Sequence, residues 1–412
     1  MTTDVPVSVI IPNRDRIAEI GRTLKALEFQ THRHFEVIVV SNVSDILRAK
    51  FPETSRAKVI SFSEANISAV RNAGIAEAAG DIIAFLDDDA VPEPTWLARL
   101  IAPFRDPRVG ATGGLVRGRN GVSMQWGPQE VDCFGNDWPL TAGDGWITQP
   151  SGTGRVLKTV GTNSAFRAAP LREIGFDSAY RFYLDETDLN WRLTQMGWRT
   201  VIVPDAQVHH GYAASQYRTS ERVPKSLFEI GASKAYFCKR FGDPARVPEE
   251  LDGFRRDQRN RLIRAMELGL LAPSYVSPLL DTLEEGFITG AGRVTEIRQY
   301  AKPTTGLTPF PKERPLAEPV LITTTLGSRK RAYAKARAAA QAGQPTTLFD
   351  FSMNARMLTV RFTDDGYWLH KGGIFGRSER KGRMFFFNTF RQRIAQESIR
   401  VAVQREIGIA VK

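Results

Sequence analysis

Cysteine is nearly absent: the 412 residues hold two, Cys133 and Cys238, far apart and in no metal-ligand spacing. A disulfide framework is excluded, and a reducing compartment, the cytoplasm, is the expected location. Long hydrophobic runs are missing too. Stretches such as Val37–Val40 and Ile82–Leu86 have strand length, far short of the ~20 residues that cross a bilayer. Met1–Pro6 has neither a basic flank nor an apolar run, so no signal peptide is read there. The expectation is a soluble or peripheral protein without a transmembrane segment. No internal repeat is visible.

What is present is the composition of a packed protein, 42% apolar and 25% charged, which excludes disorder over the whole length. The length suits two or three domains of ~100–200 residues each. Net charge is +11, and residues 318–412 carry nearly all of it, with 17 Lys+Arg against 7 Asp+Glu. Such concentration points to an anionic partner (lipid headgroups, an acidic glycan or nucleic acid) or else to a solvated basic surface.

The first half alternates two kinds of pattern. Val7–Ile11, Val37–Val40, Val59–Phe62 and Ile82–Leu86 are apolar runs of strand length, typical of strands covered on both faces. Between them, Ile17, Ile20, Leu24 and Leu27 recur at helical spacing, and Ile67–Ala79 reads as an amphipathic helix stopped at Gly80. Repeated strand–helix–strand units predict a mostly parallel sheet with helices on both faces and ligands at the carboxyl ends of its strands. After Tyr212, helices are predicted over Ser226–Arg240 and Arg255–Leu271, and the five prolines of Lys302–Pro319 read as a linker. Val320–Thr325, Arg329–Gln341, Thr346–Phe351 and Met357–Phe362 then give strand, helix, strand, strand, closed by a helix near Arg391–Arg405.

Three segments carry chemistry. Asp87, Asp88 and Asp89 follow a buried strand, where like charges repel unless they face a cation. Asp87 and Asp89 fall on one side of an extended chain and together can hold a hard divalent ion; an acidic turn capping the next helix is the plainer alternative. In Tyr183–Arg192, Asp185, Glu186 and Asp188 gather at a helix start. One of them is either a cap, Asp185 or Asp188 for preference, or a general base. His209 and His210 follow the apolar run Val201–Pro204; either is a structural residue or, with the carboxylates upstream, part of a workable imidazole–carboxylate set for Mn2+ or Mg2+.

In order and spacing, "VSVIIPNRDR" (Val7–Arg16), "SAVRNAGIAEAAGDIIAFLDDDAVPEPTWLARL" (Ser68–Leu100), "VGATGGLV" (Val109–Val116) and Gly161–His210 resemble the family 2 glycosyltransferases of GT-A fold. The resemblance covers about half of the chain. It implies a Rossmann-like α/β sheet and transfer of a sugar from a nucleotide-diphosphate donor to an acceptor hydroxyl, in polysaccharide or glycoconjugate synthesis. By the resemblance, Pro12, Asn13 and Arg14 touch the nucleotide, and Arg71 lies near the donor phosphates. Asp87 and Asp88 belong to the donor site, Asp87, Asp89 and His210 hold the metal, and Glu186 is the catalytic base of an inverting reaction. One departure stands out: Val40-Ser41-Asn42-Val43-Ser44 lacks the acidic pair usual after the second strand, which leaves the nucleotide's identity open. Trp126, Trp138 and Trp146 fall where the family places its acceptor loop, suited to stacking on sugar rings or to core packing.

The expected organisation is a catalytic domain over 1–240, a helical extension and linker over 241–317, and a small basic α/β domain over 318–412. Expected partners are the nucleotide sugar, Mn2+ or Mg2+, and a glycan, lipid-linked or protein acceptor. The basic segment would bring the protein to an anionic membrane, at the inner face; nucleic acid is disfavoured. Two rivals are carried. A sugar nucleotidyltransferase would need a glycine-rich phosphate loop, and Pro12–Arg16 has no glycine. A membrane- or nucleic-acid-binding module would use Arg377–Arg383 with Phe385, Phe386 and Phe387, which otherwise read as an ordinary strand with basic flanks.

Overall fold

Val7–Asn13 (β1), Phe35–Ser41 (β2) and, further along, Ile82–Leu86 are buried along their whole lengths, because helices cover the sheet on both sides. The structure, a computed structural model, describes residues 4–408 apart from 142, 144, 212–215, 313, 314, 381 and 382 and the side chain at 326. Tyr212 and Lys381 of the motifs above lie outside the described residues.

In chain order, α1 (Ile17–Leu27) lies between β1 and β2. Then come α2 (Ser44–Lys50), β3 (Lys58–Ser61), α3 (Ile67–Glu77), β4 (Ile82–Leu86), β5 (Ala90–Pro92), α4 (Trp96–Ile101) and β6 (Val109–Arg117). Four short strands follow, β7 (Met124–Trp126), β8 (Gln129–Val131), β9 (Asp137–Pro139) and β10 (Val156–Lys158); then β11 (Asn163–Arg167), α5 (Ala168–Ile174), α6 (Asp185–Gln195) and β12 (Arg199–His210). The nine-stranded sheet has the order β3-β2-β1-β4-β11-β6-β12-β5, with β7 beside β6. β1 to β4, β6 and β12 run one way, while β11, β5 and β7 run the other. The mixed α/β, mostly parallel sheet expected from the sequence is the one observed.

Alternation along the strands splits the core in two. Val7, Val9 and Ile11 join Val37, Val39, Ala84 and Leu86 under α1 and α4, whereas Ile10, Ile38, Val40, Ile83 and Phe85 pack under α3, α5 and α6.

Beyond β12 the chain forms α7 (Phe228–Phe241), α8 (Val247–Glu267) and α9 (Val276–Gly292). Helix α8 starts eight residues before the expected Arg255, with a proline in its first turn followed by Glu249 and Glu250. α9 was not anticipated. Its Gly286 and Gly290 let it lie directly on α7: a Cβ at Gly290 would stand 2.1 Å from the Ala232 carbonyl oxygen.

The proline-rich stretch is not a free tether. Phe310 is fully buried against Phe35, its N–H donates to the Phe35 carbonyl, and Thr308 N–H donates to the buried Glu36 carboxylate. A second α/β unit follows: β13 (Val320–Thr324), α10 (Arg329–Gln341), β14 (Thr346–Ser352), β15 (Thr359–Phe362), β16 (Trp368–Gly373) and α11 (Phe390–Arg405), with sheet order β13-β14-β16-β15. Strand β16 escaped the sequence reading. The segment around Phe385–Phe387, expected as a strand, makes only an isolated bridge, Gly376 to Phe385.

This unit is joined to the large sheet by buried charge. Arg405 grips Glu93 with two hydrogen bonds, 2.7 and 2.9 Å, and its third arm donates to His370 Nε2 at 2.5 Å. His370 Nδ1–H donates in turn to Glu397 at 2.6 Å, and Glu93 also bonds His209 at 2.8 Å. This tautomer of His370 is the one its two partners require. Burial holds His370 down at about 3; Arg405 and Arg400 hold Glu93 and Glu397 below the usual carboxylate range against burial.

Replacing Arg405 with Met leaves the buried Glu93 without its guanidinium partner and with His209 alone, and should destabilise the protein by about 3–5 kcal/mol in urea unfolding; a Glu93→Gln/Arg405→Met double variant should recover part of the loss. The network also sets an acid limit. The unfolded chain protonates His370 below its ordinary pKa of about 6.5, while the folded chain does so only near 3. Stability from this group is therefore complete above about pH 6.5 and drains away as pH falls toward 3. Glu93 and Glu397 add to the loss below about pH 4.5. The urea midpoint should drop between pH 7 and pH 5, and the drop should shrink in His370→Leu.

Candidate active site

The strand β4 carries Asp87, Asp88 and Asp89 out of the core at its carboxyl end, and β5 turns back to pair antiparallel with β12, setting His210 opposite Ala90. That pairing brings together residues 120 apart in sequence. His210 Nε2 lies 3.0 Å from Asp89 Oδ1 and 3.7 Å from Asp87 Oδ2, and one ligand atom from each of Asp87, Asp89 and His210 falls within a 4.8 Å group. His210 Nδ1 meets Gln125 Oε1 of β7 at 3.0 Å. Donation there leaves Nε2 as the ligand atom facing the carboxylates. Two carboxylates and an imidazole suit a hard divalent ion. His209 points the other way, to Glu93 and Trp368.

Asp88 is fixed by a 2.8 Å bond from Asn13 Nδ2 and a 2.8 Å ion pair with Arg16, which also lies 3.5 Å from Asp89. Burial lifts the Asp88 carboxyl to about 8 against the pull of Arg16, and Asp89 and Asp87 add to the rise. Thr23 donates to the backbone carbonyls of Asp88 and Ala90, pinning the turn. Pro12 is the next-to-last residue of β1; Arg14 reaches outward to the Ser63 carbonyl at 2.8 Å.

The second acidic group is set by strain. Tyr183 and Leu184 both have positive φ, +72° and +65°, an uncommon backbone for residues with side chains. They launch α6 so that Asp185 and Glu186 form its first turn. Neither Asp185 nor Asp188 is the cap; that position is Leu184. Asp185 is ion-paired with the buried Arg71, and Asp188 with Arg192 and Arg240. Arg71, expected near the donor phosphates, is instead enclosed between the rings of Phe85 and Phe176. Its charge is felt by Asp185, Glu186 and Asp87 alike, so it joins the two acidic groups. Burial works to raise Glu186, but Lys158, the hydrogen bond with Asp185 and Arg71 together hold it below the ordinary range, as a carboxylate.

The sequence reading missed Arg16, Gln125, Lys158 and Arg218. Lys158 is buried and bonds Asp137 at 2.6 Å. Arg218, half-buried, has its pKa lowered by burial and by Arg222, while Asp87 and Asp89 pull it up. Of the tryptophans, Trp126 packs 5.6 Å from the His210 ring with Arg222 over it, Trp138 carries Arg155 at 3.8 Å, and Trp146 is exposed. The aspartate turn also faces a cavity of about 750 Å³, lined by Asp89, His210 and Gly211 and by Val360–Asp365 and Tyr367 of the second unit.

The mostly parallel α/β sheet thus carries an aspartate turn, a late histidine and an acidic helix start. Residues 8–175 match the family described as glycosyl transferase family 2. It is 31% identical over 269 residues to an uncharacterized protein, y4gI, of Sinorhizobium fredii, covering 59% of this chain and 29% of that one. It is 27% identical over 246 residues to the O-antigen biosynthesis protein RfbC of Myxococcus xanthus, covering 53% and 18%. The chain thus spans less than a third of the length of either relative. Among solved structures, the mannosyltransferase PcManGT of Pyrobaculum calidifontis, in complex with GDP-Man and Mn2+, superposes at TM-score 0.43 with 16% identity, covering 70% of this chain and 88% of that one. No described helix is long and apolar enough to cross a membrane.

Lys158→Met removes a cation that keeps Glu186 ionised, so the acid limb of the pH–rate profile for sugar transfer should move to higher pH. An unmoved limb would separate Lys158 from the ionisation that controls the rate.

Proposed function

We propose that this protein is an inverting, metal-dependent glycosyltransferase that moves a sugar from a nucleotide-diphosphate donor to an acceptor hydroxyl, in the making of a polysaccharide or glycoconjugate. The observation that carries the reading is the convergence of Asp87, Asp89 and His210, with Glu186 held as a carboxylate and tied to Asp87 through Arg71.

In this reading residues 1–240 are the catalytic domain, 241–317 a helical extension and linker, and 318–412 a basic accessory domain. Asp87, Asp89 and His210 hold Mn2+ or Mg2+; a divalent ion bound there supplies positive charge for the departing diphosphate. Pro12, Asn13 and Arg14 line the nucleotide, with Asp88 keeping Asn13 and Arg16 in place. Arg16 and Arg218, whose charges act on the same turn, meet the diphosphate. Glu186 accepts the proton of the acceptor hydroxyl as that oxygen bonds to the anomeric carbon and the bond to the diphosphate oxygen breaks. A single displacement of this kind inverts the centre. The acceptor is a glycan, a lipid-linked sugar or a protein, met in the cytoplasm or at the inner membrane face.

Glu186→Gln should lower transfer at least a hundredfold, the scale of a positioned proton acceptor, while calorimetry shows donor affinity nearly unchanged. Full turnover in that variant would reject the assignment. Asp89→Ala should instead abolish the difference in donor binding with and without Mn2+. A panel of nucleotide sugars, scored by donor hydrolysis, would name the donor.

A further inference from the structure

We infer that one end of the second α/β unit is a docking surface for anionic lipid headgroups, built on Arg383–Phe387 and the basic residues around it. Met384 is 75% exposed, Phe385 56% and Phe387 92%. Three large apolar side chains in four residues, turned to solvent, are rare on a protein that meets only water. The backbone beneath them is tied down: Phe386 N–H donates to the Phe375 carbonyl at 2.9 Å, and Phe385 bridges to Gly376. The rings of Phe385 and Phe387 meet edge to face, 6.1 Å between centroids. Both rings are exposed, on a backbone anchored by that bridge and that hydrogen bond.

Charge selects the occupant. From Arg377 to Arg391 the sequence has five basic residues and one acid, Glu379, and Arg380, Arg383 and Arg391 are exposed beside the aromatic tip. Aromatic side chains at the headgroup level with cations around them are the pattern of a peripheral membrane contact, the rings entering the interface while the arginines meet lipid phosphates. A nucleic acid would use the same cations but needs rings laid flat for base stacking, and Phe385 and Phe387 stand at 84° to one another. The surface rests on the transferase reading only for its purpose, which is to meet a lipid-linked acceptor.

The full-length protein is sedimented with vesicles of phosphatidylcholine containing phosphatidylglycerol, and with vesicles of phosphatidylcholine alone. Binding is expected to the first and not the second, to weaken severalfold as salt screens the contact, and to fall at least tenfold in Phe385→Ser/Phe387→Ser and in Arg383→Glu. In a Phe387→Trp variant the emission should shift to the blue on anionic vesicles. These residues are exposed, and circular dichroism should show the fold unchanged. Equal sedimentation with both vesicles, no binding, or binding indifferent to the double variant would overturn the proposal. So would a reversible dimer, or binding to homopolymeric RNA, that the same variant abolishes, since either would name another occupant. Glu186→Gln should bind vesicles like the parent, so loss of the transferase reading and loss of this surface are read separately.

Discussion

Three carboxylates leave a buried strand within one turn, and the architecture around them is arranged to make that tolerable. In a low-dielectric setting, charges this close repel strongly, and a helix dipole alone would not offset three of them. Arg16 takes up Asp88 and part of Asp89, His210 is brought to Asp89 by the β5–β12 pairing, and Arg71 and Arg218 contribute positive potential from either side. The Asp87–Asp89 side of the turn still presents two carboxylates to one imidazole. That excess of negative charge is the physical motive for a divalent cation. It also explains the use of Thr23 and Asn13: a turn loaded with repulsion needs its backbone and its middle residue fixed from outside.

The second α/β unit bears on the same turn from behind. Glu93 sits four residues past Asp89, and both of its oxygens are taken by Arg405, near the end of α11. His209, the neighbour of the metal-ligand candidate His210, is bonded to the same Glu93 and packed on Trp368. Rotating α11 away would strip Glu93 and Arg405 of each other and the neutral His370 of both its partners at once. Such a contact is rigid because every alternative is costly. The far wall of the cavity beside the metal turn comes from this unit as well. Residues 318–412 therefore shape the neighbourhood of the site in addition to whatever surface they present.

Much of the large sheet was legible because its strands are apolar without interruption and its helices keep their spacing; Val37–Val40 and Ile82–Leu86 could hardly be anything but buried strands. Asp87, Asp89 and His210 were legible as candidates from residue type and strand position. What stayed hidden depended on partners distant in sequence. Strand β16 contains His370 and Lys371, which look polar until Glu397 and Arg405 appear beside them. Helix α9 reads as weakly helical because of Gly286 and Gly290, yet those glycines are what seat it on α7. Proline content made Lys302–Pro319 look like a tether, while the aromatic side chain in its middle, Phe310, was the signal that it is packed.

Arg71 shows how a family resemblance and a local geometry can divide a role between them. The resemblance puts this arginine near the donor phosphates. Here its guanidinium is 4% exposed, ion-paired with Asp185 and boxed by Phe85 and Phe176, and a Cβ at Gly161 would stand 2.1 Å from its Nη2. A group enclosed so tightly cannot swing out to meet a diphosphate without abandoning a buried acid. Its influence is instead exerted in place: a permanent positive charge that favours the ionised form of Glu186 and is ion-paired with Asp185 at the strained start of α6.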